Sequence, residues 1–199
     1  MYPACISSHT AIRATLDVAE QHPISVGDVK SATARVVHVT PQLLIHNRPR
    51  TGLQGKFSLQ YSVARALTSH RVGLDHFTDA AVNDPGISAL IERVSMVVDD
   101  DLDREWKKDQ PRPTIVEVEL KSGETLSSRC DFPPGSPQKP STRGELETKF
   151  QDCMGLRFPR DRVSDALTLM GQLSQPELRI RDVVALFRIS ESELEEHAS

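Results

Sequence analysis

Residues 114–132 read Thr-Ile-Val-Glu-Val-Glu-Leu-Lys-Ser-Gly-Glu-Thr-Leu-Ser-Ser-Arg-Cys-Asp-Phe. Val116, Val118 and Leu120 alternate with Glu117 and Glu119, the period of a strand with one buried face. Ser122-Gly123 supplies a tight turn, and the alternation resumes through Leu126, Ser128, Cys130 and Phe132. The stretch predicts a β-hairpin with one wet face. Its apolar side must be covered by helices or a second sheet.

Working outward, the β-branched run 33–40 (Thr-Ala-Arg-Val-Val-His-Val-Thr) predicts another strand. Ile12, Leu16 and Ala19 predict an amphipathic helix over 8–21, capped by Ser7 or Ser8 and ended by Pro23. Between 56 and 69, Phe57, Leu59, Tyr61, Val63, Ala64, Ala66 and Leu67 cover most of a helix circumference, which predicts a centrally buried helix. A short helix is expected over 74–82. A further one is expected over 85–94, with Pro85 in its first turn and Ile87, Leu90, Ile91 and Val94 on one face. The Pro-rich run 133–141 reads as a loop, and helices are expected near 142–154, 160–173 and 180–188. This order predicts an α+β fold, a small, largely antiparallel sheet packed with helices. The main domain is expected over 1–175, with a helical tail over 176–199.

The chain has 199 residues, 38% apolar and 26% charged, with a formal net charge of -4. That balance argues against a general nucleic-acid or anionic-membrane binder. No apolar run approaches the ~18 residues of a membrane span. Met1-Tyr2-Pro3-Ala4-Cys5 has no secretory pattern, and Cys5, Cys130 and Cys153 are scattered. A cytoplasmic, soluble protein is the expectation.

Three clusters could carry chemistry. Cys5 lies in the turn ahead of the first helix and His9 in its first turn, where free N–H groups favour an anion. A buried thiol with a capping histidine is the plainer alternative. Arg48, Arg50, Lys56 and Tyr61 surround a Pro/Gly-containing loop. Arg and Lys suit carboxylates, and a Tyr hydroxyl can donate to a developing oxyanion. Solvated loop charges and a core tyrosine are the alternative there. Asp99-Asp100-Asp101 with Asp103 lacks calcium-loop spacing and reads as a solvated acidic turn after a strand. Spacing for a zinc site is absent. The stretch Ile180–Leu194 has the look of half a helix-turn-helix. Glu191, Glu193, Glu195 and Glu196 would repel phosphate there.

Four segments in order carry a resemblance. They are Tyr-Pro-Ala-Cys-x-x-x-His at 2–9 and Arg-Pro-Arg-Thr-Gly-Leu-Gln-Gly-Lys-Phe-Ser-Leu-Gln-Tyr-Ser-Val-Ala at 48–64, then the Glu-Val-Glu-Leu-Lys-Ser-Gly-Glu-Thr hairpin at 117–125 and Gly-Ser-Pro-Gln-Lys-Pro-Ser-Thr-Arg-Gly-Glu-Leu-Glu-Thr-Lys-Phe at 135–150. Together they resemble the C-terminal domain of the MmgE/PrpD family. The resemblance implies lyase chemistry on small di- or tricarboxylates, such as 2-methylcitrate dehydration or cis-aconitate decarboxylation, or the epimerisation of iminodisuccinate, with no metal and no organic cofactor. It implies His9 and Tyr61 as catalytic groups. Cys5 stands where some relatives have a histidine facing the substrate, and Arg50 and Lys56 become carboxylate clamps. Family subunits carry a larger all-helical domain ahead of this region, which supplies further acid and histidine groups. The expectation is therefore an incomplete catalyst alone, working with a helical partner or as a homodimer. A non-catalytic remnant serving as a dimerisation or binding module is the alternative.

Overall fold

A computed structural model describes residues 1–188. The chain divides into two compact units, Met1–Thr142 and a second beginning at Arg143. The boundary expected at 175 falls inside the second unit.

The first unit holds α1 (His9–Gln21), β1 (Val29–Val36), α2 (Thr40–Leu43), α3 (Gly52–Gly55), α4 (Leu59–Ser69), α5 (Asp79–Val82) and α6 (Pro85–Ile91). It continues with β2 (Val94–Val98), α7 (Asp100–Glu105), β3 (Thr114–Leu120) and β4 (Thr125–Cys130). The strands form one sheet in the order β2-β1-β3-β4. β1–β3 and β3–β4 are antiparallel and β1–β2 is parallel, so the α+β arrangement with a largely antiparallel sheet is observed. The hairpin is in register from Thr114↔Cys130 to Glu119↔Thr125, and Gly123 takes the positive φ of 93° that its turn requires.

Period-2 alternation sends Ala32, Ala34, Val36, Val116 and Val118 into the core. α1 lies over β3 and β4, and α4 packs against α1, α6 and β2. Every residue of α4 from Leu59 to Leu67 is buried, as its all-round apolar pattern predicts. A fully buried leucine such as Leu59 or Leu67 contributes about 1.5–3 kcal/mol of transfer free energy. The opposite sheet face is polar. Arg35 bridges Asp99 and Glu117, and Glu119 accepts from Lys30 (2.6 Å) and Ser31 (3.0 Å).

Several expectations are corrected. The strand of 33–40 runs instead over Val29–Val36, because Thr40-Pro41 starts α2. The helix of 85–94 stops at Ile91, and Val94 opens β2. Val94 continues the spacing of Ile87, Leu90 and Ile91. Pairing with β1 decides the matter in favour of a β-branched strand. Neither Ser7 nor Ser8 caps α1 through its side chain. Ser8 Oγ donates to Cys5 O (2.7 Å) instead. The acidic run follows a strand and its Asp100 and Asp101 are solvated as expected, but it starts a helix rather than a turn. Asp99 is buried and caps α7, accepting from Asp101 N and Leu102 N, and these bonds hold its carboxyl below the usual range.

The second unit contains α8 (Arg143–Met154), α9 (Arg160–Met170) and α10 (Ile180–Ala185). Phe187 meets Phe150 and Phe158 edge-on, and Val163, Ala166 and Val183 are buried. The acidic stretch with Glu191 to Glu196 lies outside the described residues. Among those described, no helix is long and apolar enough to cross a membrane.

Burial separates the three thiols. Cys130 is in the core and burial pushes it up to about 11, Cys5 is half-buried and Cys153 is exposed. At about pH 7, maleimide should label Cys153 in the folded chain and Cys130 only after unfolding. Mass spectrometry of labelled peptides checks this. Labelling of native Cys130 at the rate of Cys153 would contradict its place in the core.

Candidate functional site

The Tyr-Pro-Ala-Cys turn is held from both sides. Cys5 N donates to Lys56 O (2.9 Å), and Cys5 O accepts from Ser8 N (2.9 Å). His9 follows one turn on, 8% exposed, with Nε2 3.2 Å from Ala4 O. This contact holds the His9 ring against the Tyr-Pro-Ala-Cys turn. Tyr2 stands edge-on to His9 at 5.3 Å, and burial pushes its phenol up to about 12. Thr10 Oγ1 meets Thr114 Oγ1 at 2.9 Å, fixing the start of α1 to the sheet.

The loop before α4 is fixed as firmly. Thr51 caps α3 by accepting from Gln54 N (3.2 Å). Gly52 N donates to Asp79 Oδ1 (2.7 Å), and Asn83 Nδ2 donates to Arg50 O (2.8 Å). His46 N donates to Phe57 O (3.3 Å). Ser58 caps α4 by accepting from Tyr61 N (3.2 Å).

These bonds bring the Cys5 turn, His9 and Lys56 into one neighbourhood, although 47 or more residues separate Lys56 from the other two. Arg50 is tied in by its backbone while its side chain is exposed. Arg48 is engaged elsewhere, in a two-pronged pair with Glu92. Tyr61 is 0% exposed. Its hydroxyl donates to His76 O and accepts from Arg65 Nε (3.0 Å), and its ring meets Phe77 edge-on at 5.7 Å. Burial raises its pKa. His76, also buried, accepts from Gly73 N at Nδ1 (3.3 Å), and burial lowers its pKa. The Tyr61 ring lies directly beneath Gly55, where an added Cβ would sit 3.3 Å from Cδ1 and Cε1.

Two residues were not assigned a role from sequence. Tyr2 orients His9. Gln60 is buried, with Nε2 donating to Asn47 Oδ1 (3.3 Å) and Oε1 without a partner. Either orientation of that amide leaves one polar atom unpaired. A glutamine inside a helix otherwise apolar all round was the available signal. A cleft of about 200 Å³ lies apart from this site, lined by Trp106, Pro111, Pro113 and Phe132 between Glu105 and Arg129. None of these residues belongs to the motifs of 2–9 or 48–64. No group of His, Cys, Asp and Glu suited to a metal is found among the described residues.

The fold and these two interlocked motifs define an α+β domain with a histidine in the first turn of α1 and a lysine at the end of α3. The chain belongs to the MmgE/PrpD family. Residues 2–174 match the model of the MmgE/PrpD C-terminal domain. The chain is 23% identical over 190 residues to mouse cis-aconitate decarboxylase, covering 88% of this chain and 36% of that protein. It is 32% identical over 119 residues to a mitochondrial 2-methylcitrate dehydratase of Yarrowia lipolytica, covering 57% of this chain and 23% of that protein. Similarity to the Aspergillus oryzae 2-methylcitrate dehydratase-like protein oryR is 27% over 134 residues, covering 65% of this chain and 27% of that protein. The chain thus spans roughly a third or less of the length of these curated relatives.

Proposed function

We propose that this chain forms one wall of a lyase site for small di- or tricarboxylates, of the dehydratase or decarboxylase kind. The observation that carries the reading is the Cys5 N to Lys56 O hydrogen bond, which joins the two family motifs. His9 is the acid/base or a carboxylate contact through its ring. Lys56 and Arg50 clamp carboxylates, and Cys5 shapes the turn that faces them. Tyr61, with its hydroxyl occupied, positions Gly55 and Lys56 from beneath. Acid, base and clamps act as a unit, so a single wall turns over substrate poorly. The opposite wall comes from a helical domain, in a longer polypeptide or a separate subunit. A cytoplasmic location suits the three unpaired cysteines.

Titration with cis-aconitate and 2-methylcitrate, followed by NMR, tests the wall. His9→Ala and Lys56→Ala should each weaken binding about tenfold, the worth of one charge-assisted contact. Turnover is expected only on adding the helical domain of a relative. No carboxylate binding, together with no turnover in that mixture, would defeat the reading.

A second reading, a binding module, draws on a different observation. Ile6 (69% exposed), Ile45 (63%), Leu53 (70%) and Phe57 (40%) sit on the same linked loops. An apolar rim of this kind is suited to a helical partner. Tight capture of such a domain without any carboxylate affinity would favour it.

A further inference from the structure

His76 lies in the turn of residues 73–77 and is 7% exposed. Gly73 N donates to its Nδ1 (3.3 Å), so the neutral ring holds its one proton on Nε2. The carbonyls of the same turn seat two other segments. His76 O accepts from the Tyr61 hydroxyl on α4. Gly52 of α3 lies so close against Phe77 O that an added Cβ would overlap it. One buried ring thus sits where α3, α4 and the turn meet, and the carboxylate reading gives it no role.

The surroundings oppose a charge on this ring. On the turn itself Asp75 Oδ2 lies 3.6 Å from Nε2, but Arg71 holds that carboxylate at two points. From α4 the Arg65 guanidinium faces the ring, while bonded to the Tyr61 hydroxyl and to Ala81 O. α3 carries no charged side chain, and Asp79 of α5 accepts from Gly52 N (2.7 Å). Burial, helped by Arg71 and Arg65, lowers the pKa of His76 against the pull of Asp75. A proton on Nδ1 would also remove the acceptor of Gly73 N and leave two N–H groups facing each other.

We propose that His76 is a pH-sensitive latch, whose protonation opens the 73–77 turn and releases the Tyr61 hydroxyl and the Gly52–Gly55 helix together. Mildly acid solution then loosens the segment that leads to Lys56. The direction follows from proton linkage. A histidine in the opened or unfolded chain takes its proton near the ordinary value of about 6.5. In the closed chain His76 takes it only at lower pH. Above that ordinary value the ring is neutral in both forms, and the latch adds no pH dependence. As pH falls below about 6.5, the open form gains up to about tenfold per pH unit, until the closed form itself takes the proton. This inference goes beyond the carboxylate reading and does not depend on it, because it concerns the opening of the turn and not contact with a ligand.

The test is backbone hydrogen exchange on the full chain from about pH 7.5 to about pH 5, read as protection factors so that the pH dependence of the exchange chemistry cancels. Protection of Gly73 N and Gly52 N should fall about tenfold between roughly pH 6.5 and 5.5, while the amides pairing β1 with β3 keep theirs. Asp75 stays ionised in this window, because Arg71 holds its carboxyl below the usual range. His76→Asn offers Gly73 N an amide oxygen in place of Nδ1 and does not titrate, so its Gly52 protection should stay level. A second measurement needs no variant. NMR titration of the His76 ring should give a midpoint below about 6.5 that tracks the loss of protection at Gly52. Level Gly52 protection in the unaltered chain overturns the proposal. So does a His76→Asn chain with the unaltered pH dependence, or a His76 ring that titrates at or above about 6.5. Carboxylate titration at about pH 7.5, where the latch is closed, tests the candidate site separately, so the two readings fail independently.

Discussion

Gly52→Ala is expected to destabilise the first unit by about 3 kcal/mol, the upper part of the range for overpacking. A Cβ at Gly52 would overlap Phe77 O, lie 2.6 Å from Phe77 C and 3.2 Å from Thr78 Cα. These are backbone atoms, so no side-chain rotation relieves the clash. Gly52 N also donates to Asp79 Oδ1, and separating the two segments breaks that bond. For a chain of this size the melting temperature should fall by roughly 6–12 °C. The effect reaches the candidate site, because α3 leads directly to Lys56, whose carbonyl holds the Cys5 turn. Carboxylate affinity should therefore fall with stability. Gly144→Ala is the control. It lies in α8 with open space around it, and should gain roughly 0.5–1 kcal/mol from helix propensity. Thermal denaturation of both variants decides the matter. A Gly52→Ala chain melting with the parent would mean that the loop is not seated against Phe77 as described.

Tyr61→Phe is expected to cost about 1–3 kcal/mol, because it strands two buried groups at once. His76 O loses its donor and Arg65 Nε loses its acceptor. Arg65 is itself 9% exposed and also donates to Ala81 O, so it has little freedom to find water. The prediction separates two roles for Tyr61. A positioning role lowers stability first, and ligand affinity follows as Gly55 and Lys56 loosen. A tyrosine that touches substrate would leave the melting curve in place and remove affinity or turnover outright. Urea denaturation alongside carboxylate titration distinguishes the two. Unchanged stability with abolished binding would restore Tyr61 to the substrate.

Much of the candidate site was legible because its motifs are local. The Cys5–His9 spacing and the Lys56–Tyr61 segment are short stretches whose helices show in apolar spacing, although no serine side chain caps α1 and α4 starts at Leu59 rather than 56. The meeting of the two stretches was not legible from spacing, since a contact across some fifty residues has no local signature. The resemblance to a family supplied their order only. Nor did spacing distinguish Arg48 from Arg50. Both are loop arginines, and only the tertiary placement of Glu92 engages the first.

The sequence alone determined the elements with strong period and punctuation. These are the 114–132 hairpin, the amphipathic α1, the buried α4 and the α+β class. Each rests on short-range sterics and on the burial of one face, which a window of residues contains. Tertiary structure decided what depends on partners far along the chain. Val94 opened a strand rather than ending a helix because β1 lay alongside to pair with it. Asp99 left solvent because Arg35 and two backbone amides received it. Tyr61 turned its hydroxyl inward because the carbonyl of His76 and the guanidinium of Arg65 are both there to satisfy it. In each case a locally neutral or contrary preference, worth less than about 1 kcal/mol, was overridden by hydrogen bonds and burial available only in the folded chain.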